Sequence, residues 1–427
     1  MKTDVLIAGC GCAGLYCALQ LPDDKQIVIL AKGEVTQSDS FLAQGGICML
    51  KDESDYDAYF EDTMRAGHYE NNPDSVEVMI RSSQDTIGDL IRYGVNFHRE
   101  ADGSLSFTRE GAHSAKRILF HEDITGKEIT GRLLEQAKGR HNITILEHCA
   151  MLDIVCRDNN CYGVVAHSKD SGLFIIEAKD TVFACGGIGG LYRHSTNYRQ
   201  LTGDGVAVAL LHGIAVEHIN YVQIHPTTLY TEQEGERSFL ISESVRGEGA
   251  VLYNAQKERF VDELLPRDVL TKKIQEQMQK DGMPYVWLSM EHIPREEITG
   301  HFPNIVGHCK KKGYDVFHEC IPVVPAQHYF MGGIKADLSG RTSMEHLYAI
   351  GETACNGVHG RNRLASNSLL ESLVFAKRAA KDIAKGQATY RKKIPQMDLS
   401  GYQNMQALAQ YYKKRVLDEI ERLEHHE

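Results

Sequence analysis

The sequence lacks any apolar run long enough to cross a bilayer. Its longest stretches, such as Val206–Leu211, hold about six residues, against the ~18 that a membrane span needs. The amino-terminal stretch MKTDVLIAGCGCAG has no signal-peptide pattern, because Gly9 and Gly11 interrupt its only short apolar run. Lipidation motifs are also absent. An excess of positive charge is missing too: 47 basic residues stand against 58 acidic ones, a net charge of −11. That balance excludes a general binder of nucleic acid or anionic membrane and suits a cytoplasmic protein, while a site can still be locally basic. The eleven cysteines are scattered and form no CxxC pair, so they read as reduced thiols rather than a disulfide framework. No internal repeat or low-complexity tract is present. A 42% apolar share and a 25% charged share exclude a disordered chain and a collagen-like fibre.

At 427 residues the chain exceeds one compact core and implies two or three domains. Glycine is over-represented, with 38 residues clustered around 9–14, 45–46, 186–190 and 332–333, places where backbone must approach something closely. Residues 4–8 read as a buried strand, 12–21 as a helix and 27–31 as a second strand, which makes a βαβ unit. Helical periodicity returns at 55–66, 74–94 and 126–138. Short strands follow at 143–147, 151–156, 162–168, 173–178 and 181–184, the last ending at Cys185-Gly186-Gly187, and then a helix at 204–213. The segment 219–329 holds most of the prolines and much of the His and Arg, and reads as an inserted second domain. Alternating α/β character resumes with a strand at Leu347–Ile350 and a helix at Ser368–Lys385. Residues 386–398 read as a linker and 403–424 as a charged terminal helix.

Gly9, Cys10, Gly11, Cys12, Ala13 and Gly14 form GxGxxG between the first strand and its helix. In that context the glycines allow a tight turn, close approach to a pyrophosphate and close helix packing, and the helix N-terminus faces the phosphate. The acid expected about 20 residues on, which holds a ribose in NAD sites, is replaced by Lys32. Cys10 and Cys12 allow a redox or metal role, or are simply small residues in a tight loop. Ala43-Gln44-Gly45-Gly46 supplies a second glycine signature, and a strand ending in Gly351-Glu352 can hand a carboxylate to a ribose or ribitol hydroxyl. These three places together point to FAD rather than NAD.

The motifs DVLIAGCGCAG, FLAQGGI, TREGAHS, GDGVAVA, QIHPTTLY, SESVRGEGA, PRDVL, PAQHYFMGGI, LYAIGE and HGRNRLASNSLLES occur in this order from about residue 3 to 385. In them the chain resembles the flavoprotein subunits of succinate dehydrogenase and fumarate reductase and, within that superfamily, the L-aspartate oxidases. The resemblance implies an α/β fold: a Rossmann-like FAD-binding domain in two segments (1–218 and 330–385), an inserted α+β capping domain (219–329) and a short C-terminal helical tail (386–427). Many aspartate oxidases continue with a longer helical domain, so the chain reads as a short form. The implied FAD contacts are Gly9, Cys10, Gly11, Cys12, Ala13, Gly14, Lys32, Asp39, Ser40, Phe41, Leu42, Ala43, Gln44, Gly45, Gly46, Asp204, Glu352, Ser368 and Leu369. Covalent members carry a flavin-linking histidine where this chain has Asp39, which implies non-covalent FAD. Ser368 begins a helix whose positive end can stabilise anionic reduced flavin.

Gln223, His225, Arg267, His328 and Arg363 are polar residues in apolar or glycine-rich settings. Each alone reads as structural; together, in an acidic protein, they fit a dicarboxylate, since arginine forks bind carboxylates bidentately. The resemblance assigns Arg363 and His328 to one carboxylate, His225 and Ser242 to the other, Gln223 to substrate binding and Arg267 to proton exchange at the substrate carbon. Lys272 stands where related chains often carry a second arginine. Succinate and fumarate enzymes have Phe-Gly-Gly where this chain has Glu110-Gly111-Ala112, and a carboxylate at Glu110 can pair with the α-ammonium that distinguishes aspartate from succinate. The expected reaction is therefore FAD-dependent oxidation of L-aspartate to iminoaspartate, with hydride leaving Cα for flavin N5. Electrons would pass to oxygen or fumarate, and the product would go on to quinolinate synthase and NAD synthesis. The alternative is a soluble fumarate reductase or succinate dehydrogenase flavoprotein; a flavin-binding module without turnover is the third reading. No metal site is expected.

Overall fold

The computed structural model describes residues 1–232, 236–386 and 394–425. The βαβ unit is present as the strands Lys2–Ala8 and Ile27–Leu30 around the helix Cys12–Gln20, parallel and in register from Val5 opposite Ile27 to Ala8 opposite Leu30. Two glycines make it possible. Gly9 has φ +122°, and a Cβ there would run into the Ala184 carbonyl; a Cβ on Gly14 would run into the Gly9 carbonyl. Ile143–Leu146 extends this sheet in parallel beyond Ile27–Leu30.

On the other side of Lys2–Ala8 lies Gly172–Phe183, a single strand where two were expected at 173–178 and 181–184. Polar Lys179 and Asp180 suggest a break, but each meets a partner from a neighbouring segment: Lys179 pairs with Asp4 at 2.6 Å and Asp180 with His346 at 2.9 Å. Its first half pairs antiparallel with Asn160–Ser168 and its last residues pair parallel with Leu347–Ala349. Cys149–Arg157 then forms the edge of this seven-stranded sheet. The helix expected at 74–94 divides into Pro73–Arg81 and Ser83–Arg92, where Ser83 Oγ donates to the Ile80 carbonyl instead of leaving the turn to the backbone. Of the expected linker, residues 387–393 lie outside the described ones. The terminal helix Met405–Glu424 lays Tyr412, Val416 and Ile420 against the Asp204–Leu211 helix.

Residues 222–330 carry their own five-stranded sheet, in the order Phe239–Leu240, Val222–Leu229, Ile321–Phe330, Val286–Ser289 and Val251–Tyr253. Its neighbours are all antiparallel, and a separate core including Val245, Leu270, Ile274, Leu288, Ile305 and Val323 covers it. The chain enters and leaves this unit on two paired strands, with Val222 opposite Phe330.

Arg117 is fully buried and binds Asp55 through Nε and Nη2 (3.1 and 2.9 Å) and Asp62 through Nη1 (2.7 Å). Asp62 also accepts from the Ser114 amide and hydroxyl at 2.7 and 2.6 Å, so the 108–119 loop is tied down on both sides of Arg117. Arg117→Ala would strand two buried carboxylates, and a loss of about 3–5 kcal/mol is expected, read as a shift of the urea unfolding midpoint at unchanged slope.

Candidate active site

One continuous cleft runs from the GxGxxG turn to the strands Val222–Leu229 and Ile321–Phe330. Its lining extends from Gly9 and Lys32 at one end to His225, Arg267 and Arg363 at the other, so one cleft serves both the dinucleotide turn and the basic cluster.

At one end lie Gly9, Cys10, Gly11, Cys12 and Ala13, then Lys32, then Asp39, Ser40, Leu42, Ala43, Gln44, Gly45 and Gly46, with Glu352, Ser368 and Leu369. The helix Cys12–Gln20 begins without a side-chain cap at Gly11, and Asn367–Lys385 begins without one at Ser366. Both N-terminal turns thus leave backbone N–H groups for an anion or an electron-rich ring edge. The buried atoms Ser38 Oγ, Asp39 Oδ2, Gln44 Oε1 and Asn197 Oδ1 have no partner within the protein. A large polar cofactor would satisfy them, and these residues fit FAD in polarity and extent. Burial pushes the Asp39 carboxyl up to about 7, while its Oδ1 accepts from the Tyr198 amide at 2.9 Å. Burial, with Asp39 nearby, pushes Glu352 up to about 8.

Three residues expected at this end do not line the cleft. Gly14 lies beneath the turn, where its role is to let the helix approach Gly9. Phe41 turns away to pack beside the Thr125–Lys138 helix. Asp204 faces Lys32 Nζ at 2.7 Å and accepts from Thr202 Oγ1 at 2.7 Å, so it holds the lysine that lines the cleft.

At the other end the cleft meets Glu110, His225, Ser242, Arg267, His328 and Arg363. The two histidines arrive there through irregular pairing. The ladder between Val222–Leu229 and Ile321–Phe330 shifts register between Gln223 and Ile224 and again between His225 and Thr228. His328 falls in the first shift, and Pro226 and Pro325, which cannot donate to a ladder, fall in the second. The rings of His225 and His328 meet edge to face at 5.1 Å. His225 Nδ1 lies 3.1 Å from both the amide nitrogen and the carbonyl oxygen of Thr227, and its buried Nε2 has no partner. His328 Nδ1 is 2.8 Å from Thr196 Oγ1. Burial, and then Arg267, hold both imidazoles well below their usual range, so both are neutral.

Positive charge at this end therefore rests on arginine. Arg267 donates from Nε to Glu243 at 2.6 Å and from Nη1 to Gln223 at 2.8 Å. Arg363 donates to Ser368 Oγ at 2.9 Å and lies over the Tyr329 ring at 4.4 Å, while its buried Nε has no partner. Burial, reinforced by Arg267, brings Arg363 down to about 10. Gln223 does not line the cleft. Its amide donates to the Arg363 carbonyl and to Asn362 Oδ1 (2.8 and 2.9 Å), so it spans the two arginines.

Glu110 is buried in this cationic region and accepts from Ser244 Oγ at 2.8 Å and Ser366 Oγ at 2.6 Å. Burial and the neighbouring Glu243 raise its carboxyl above the ordinary range. For Glu243 burial acts upward as well, but Arg267 and Arg246 outweigh it and hold the carboxyl low. Glu243, Arg237 and Tyr329 line the cleft without having been singled out from the sequence. The signal for Glu243 was its place between Ser242 and Ser244, three residues before Arg246; nothing marks Arg237.

The chain matches the FAD binding domain family over residues 4–369, and FAD is its cofactor. It is 51% identical to an L-aspartate oxidase of Clostridium perfringens over 89% of this chain and 86% of that one. It is 48% identical to one of Clostridium acetobutylicum, over 90% and 88%. Among solved structures, an E. coli quinol fumarate reductase superposes with a TM-score of 0.86 at 28% identity, covering 98% of this chain and 74% of that one. A Mycobacterium smegmatis Sdh1 complex superposes with a TM-score of 0.78 at 28% identity, over 96% and 72%. On this likeness the chain belongs to the L-aspartate oxidase family of FAD-binding flavoproteins.

Proposed function

We propose that the chain oxidises L-aspartate to iminoaspartate. The observation that carries this reading is Glu110, a buried carboxylate set among arginines and held by one hydroxyl from Ser244 and one from Ser366. A dicarboxylate without a cationic group gains nothing from such a neighbour, whereas the α-ammonium of aspartate pairs with it. Bound FAD supplies the acceptor for the hydride and its two electrons.

The residues of the chain divide the remaining work. Arg363, with its unpartnered Nε, and His328 take one carboxylate; Ser242 and His225, through its unpartnered Nε2, take the other. Neutral imidazoles can donate here without adding charge to the arginines. Arg267 exchanges the proton at nitrogen or Cβ. Its Nε donates to Glu243, which fixes the guanidinium in place. Gln223 is a positioning residue for Arg267 and Arg363. Residues 219–329 act as a cap that closes over the substrate and excludes water, on a body formed by 1–218 and 330–385. FAD is held without a covalent bond, because a carboxylate at Asp39 cannot form a histidyl–flavin link.

No helix among the described residues is long and apolar enough to cross a membrane. The net charge of −11 supports a cytoplasmic reading. Oxygen or fumarate reoxidises the enzyme; with oxygen the product is hydrogen peroxide. The imine, which hydrolyses in water, passes to quinolinate synthase.

Acid precipitation is expected to leave the flavin in the supernatant; flavin in the pellet would contradict Asp39. Under anaerobic conditions L-aspartate should bleach the flavin rapidly and succinate should not, the reverse of what a succinate dehydrogenase would do. Glu110→Leu should lower kcat/KM for aspartate at least about 30-fold, the ~2 kcal/mol lower limit for removing one partner of a buried charge pair, with flavin still bound. The raised Glu110 carboxyl becomes an anion only as pH rises past its elevated value. Wild-type kcat/KM should therefore climb as pH rises through that elevated value, and Glu110→Gln should flatten that limb.

A further inference from the structure

Away from the cleft, the edge strand Cys149–Arg157 carries a second constellation of titratable groups. Cys156 Sγ lies 3.3 Å from His212 Nδ1, and His212 Nε2 lies 2.6 Å from Asp153 Oδ1. Asp153 is itself fixed: Oδ1 accepts from the Ile154 amide at 2.8 Å, and Oδ2 from the Tyr402 hydroxyl at 2.7 Å. Residues three apart on a regular strand point to opposite faces. Here the ladder shifts register between Met151 and Asp153 and between Ile154 and Cys156, which turns both side chains toward one imidazole. His212 caps the C-terminus of the Asp204–Leu211 helix, where the helix dipole favours a cation. The Asp153 hydrogen bond, followed by Cys156, raises His212 to about 10, so it is an imidazolium at neutral pH.

Thiol, imidazolium and orienting carboxylate thus stand in line, where the reaction at the flavin has no use for them. We propose that Cys156 is a peroxide-reactive thiol, held by His212 and Asp153 and resolved by Cys161 across the strand pair. Cys161 is the Cα partner of Cys156 in the hairpin and belongs to the core cluster against which Cys156 packs. Antiparallel partners have Cα atoms ~4.5–5.5 Å apart, inside the ~4.4–6.8 Å that a disulfide bridges. In the first step the thiolate sulfur attacks one peroxide oxygen and the O–O bond breaks. Sulfur is oxidised to the sulfenic acid, and the other oxygen leaves as hydroxide, taking up a proton. In the second step the Cys161 sulfur attacks Cys156 Sγ, the S–O bond breaks, and water leaves as the disulfide forms. The other cysteines offer no such setting. Burial pushes Cys10 and Cys149 up to about 11, and Cys17, Cys185, Cys309 and Cys355 up to about 12.

A cellular source of peroxide rests on the oxygen branch proposed above; the reactivity of the thiol does not, so the test uses reagent peroxide. Reduced, FAD-loaded protein is treated with hydrogen peroxide without aspartate, alkylated, digested and weighed. The peptide carrying Cys156 and Cys161 should lose two hydrogens before any change at Cys320, which is half-buried like Cys156 and also outside the cleft. Cys161→Ser should instead trap a dimedone adduct on Cys156, and His212→Gln should slow oxidation of Cys156 at least tenfold. Cys156→Ser should keep aspartate-dependent flavin bleaching, which separates this inference from the proposed reaction. Oxidation of Cys156 no faster than of Cys320 in the wild-type protein overturns the proposal without recourse to a variant. A rate unchanged in His212→Gln overturns it too, and a sulfenate that persists beside intact Cys161 overturns the assignment of the resolving thiol.

Discussion

Arg267 and Arg363 line one end of the cleft out of water, and Arg246 is buried beside Glu243, with Glu243, Glu110, Glu263 and Glu352 as the carboxylates that act on Arg246 and Arg363. Removing charge from water costs several kcal/mol per ion unless a partner replaces the solvent. Lowered arginines, neutral histidines and an unpartnered Arg363 Nε are all expressions of that cost. The protein spends stability here, and in the proposed reading a doubly anionic substrate restores the balance. In that reading Glu110 makes the balance selective, because an extra carboxylate in the cluster is useful only if the anion brings a cation of its own.

Holding such a cluster needs a stiff frame, and the frame comes from elsewhere in the chain. Arg117 with Asp55 and Asp62 fixes the loop that presents Glu110. Gln223 fixes the spacing of the two arginines from behind. The helix Asn367–Lys385 delivers Ser366 to Glu110 and Ser368 to Arg363 from a single N-terminal turn. Cofactor end and substrate end are therefore parts of one construction.

What could be read from the sequence was what is locally encoded. The GxGxxG turn is a matter of backbone sterics within six residues, and the motifs carrying Glu110, His225, Arg267, His328 and Arg363 brought all five into one cleft. Misplacements arose where a polar residue had a choice of partners. Gln223 and Asp204 lie in the expected motifs, but each serves a neighbouring cation, and sequence does not say which way a side chain turns. Glu243 was passed over because a glutamate between two serines looks solvated until Arg267 and Arg246 are seen to enclose it. Gly172–Phe183 looked like two strands because the partners of Lys179 and Asp180 come from distant parts of the chain. The bulges that aim His225, His328 and Cys156 are shifts in pairing, which no periodicity in one strand reveals.

Because Val222 pairs with Phe330, the chain enters and leaves the inserted unit side by side, so both crossings belong to one two-stranded ribbon. His225 and His328 sit on that ribbon, Ser242, Glu243 and Arg267 on other segments of the inserted unit, and Glu110 and Arg363 on the body. The charge cluster is therefore assembled across a covalent connection of only two strands, whereas the imidazole pair is assembled within it.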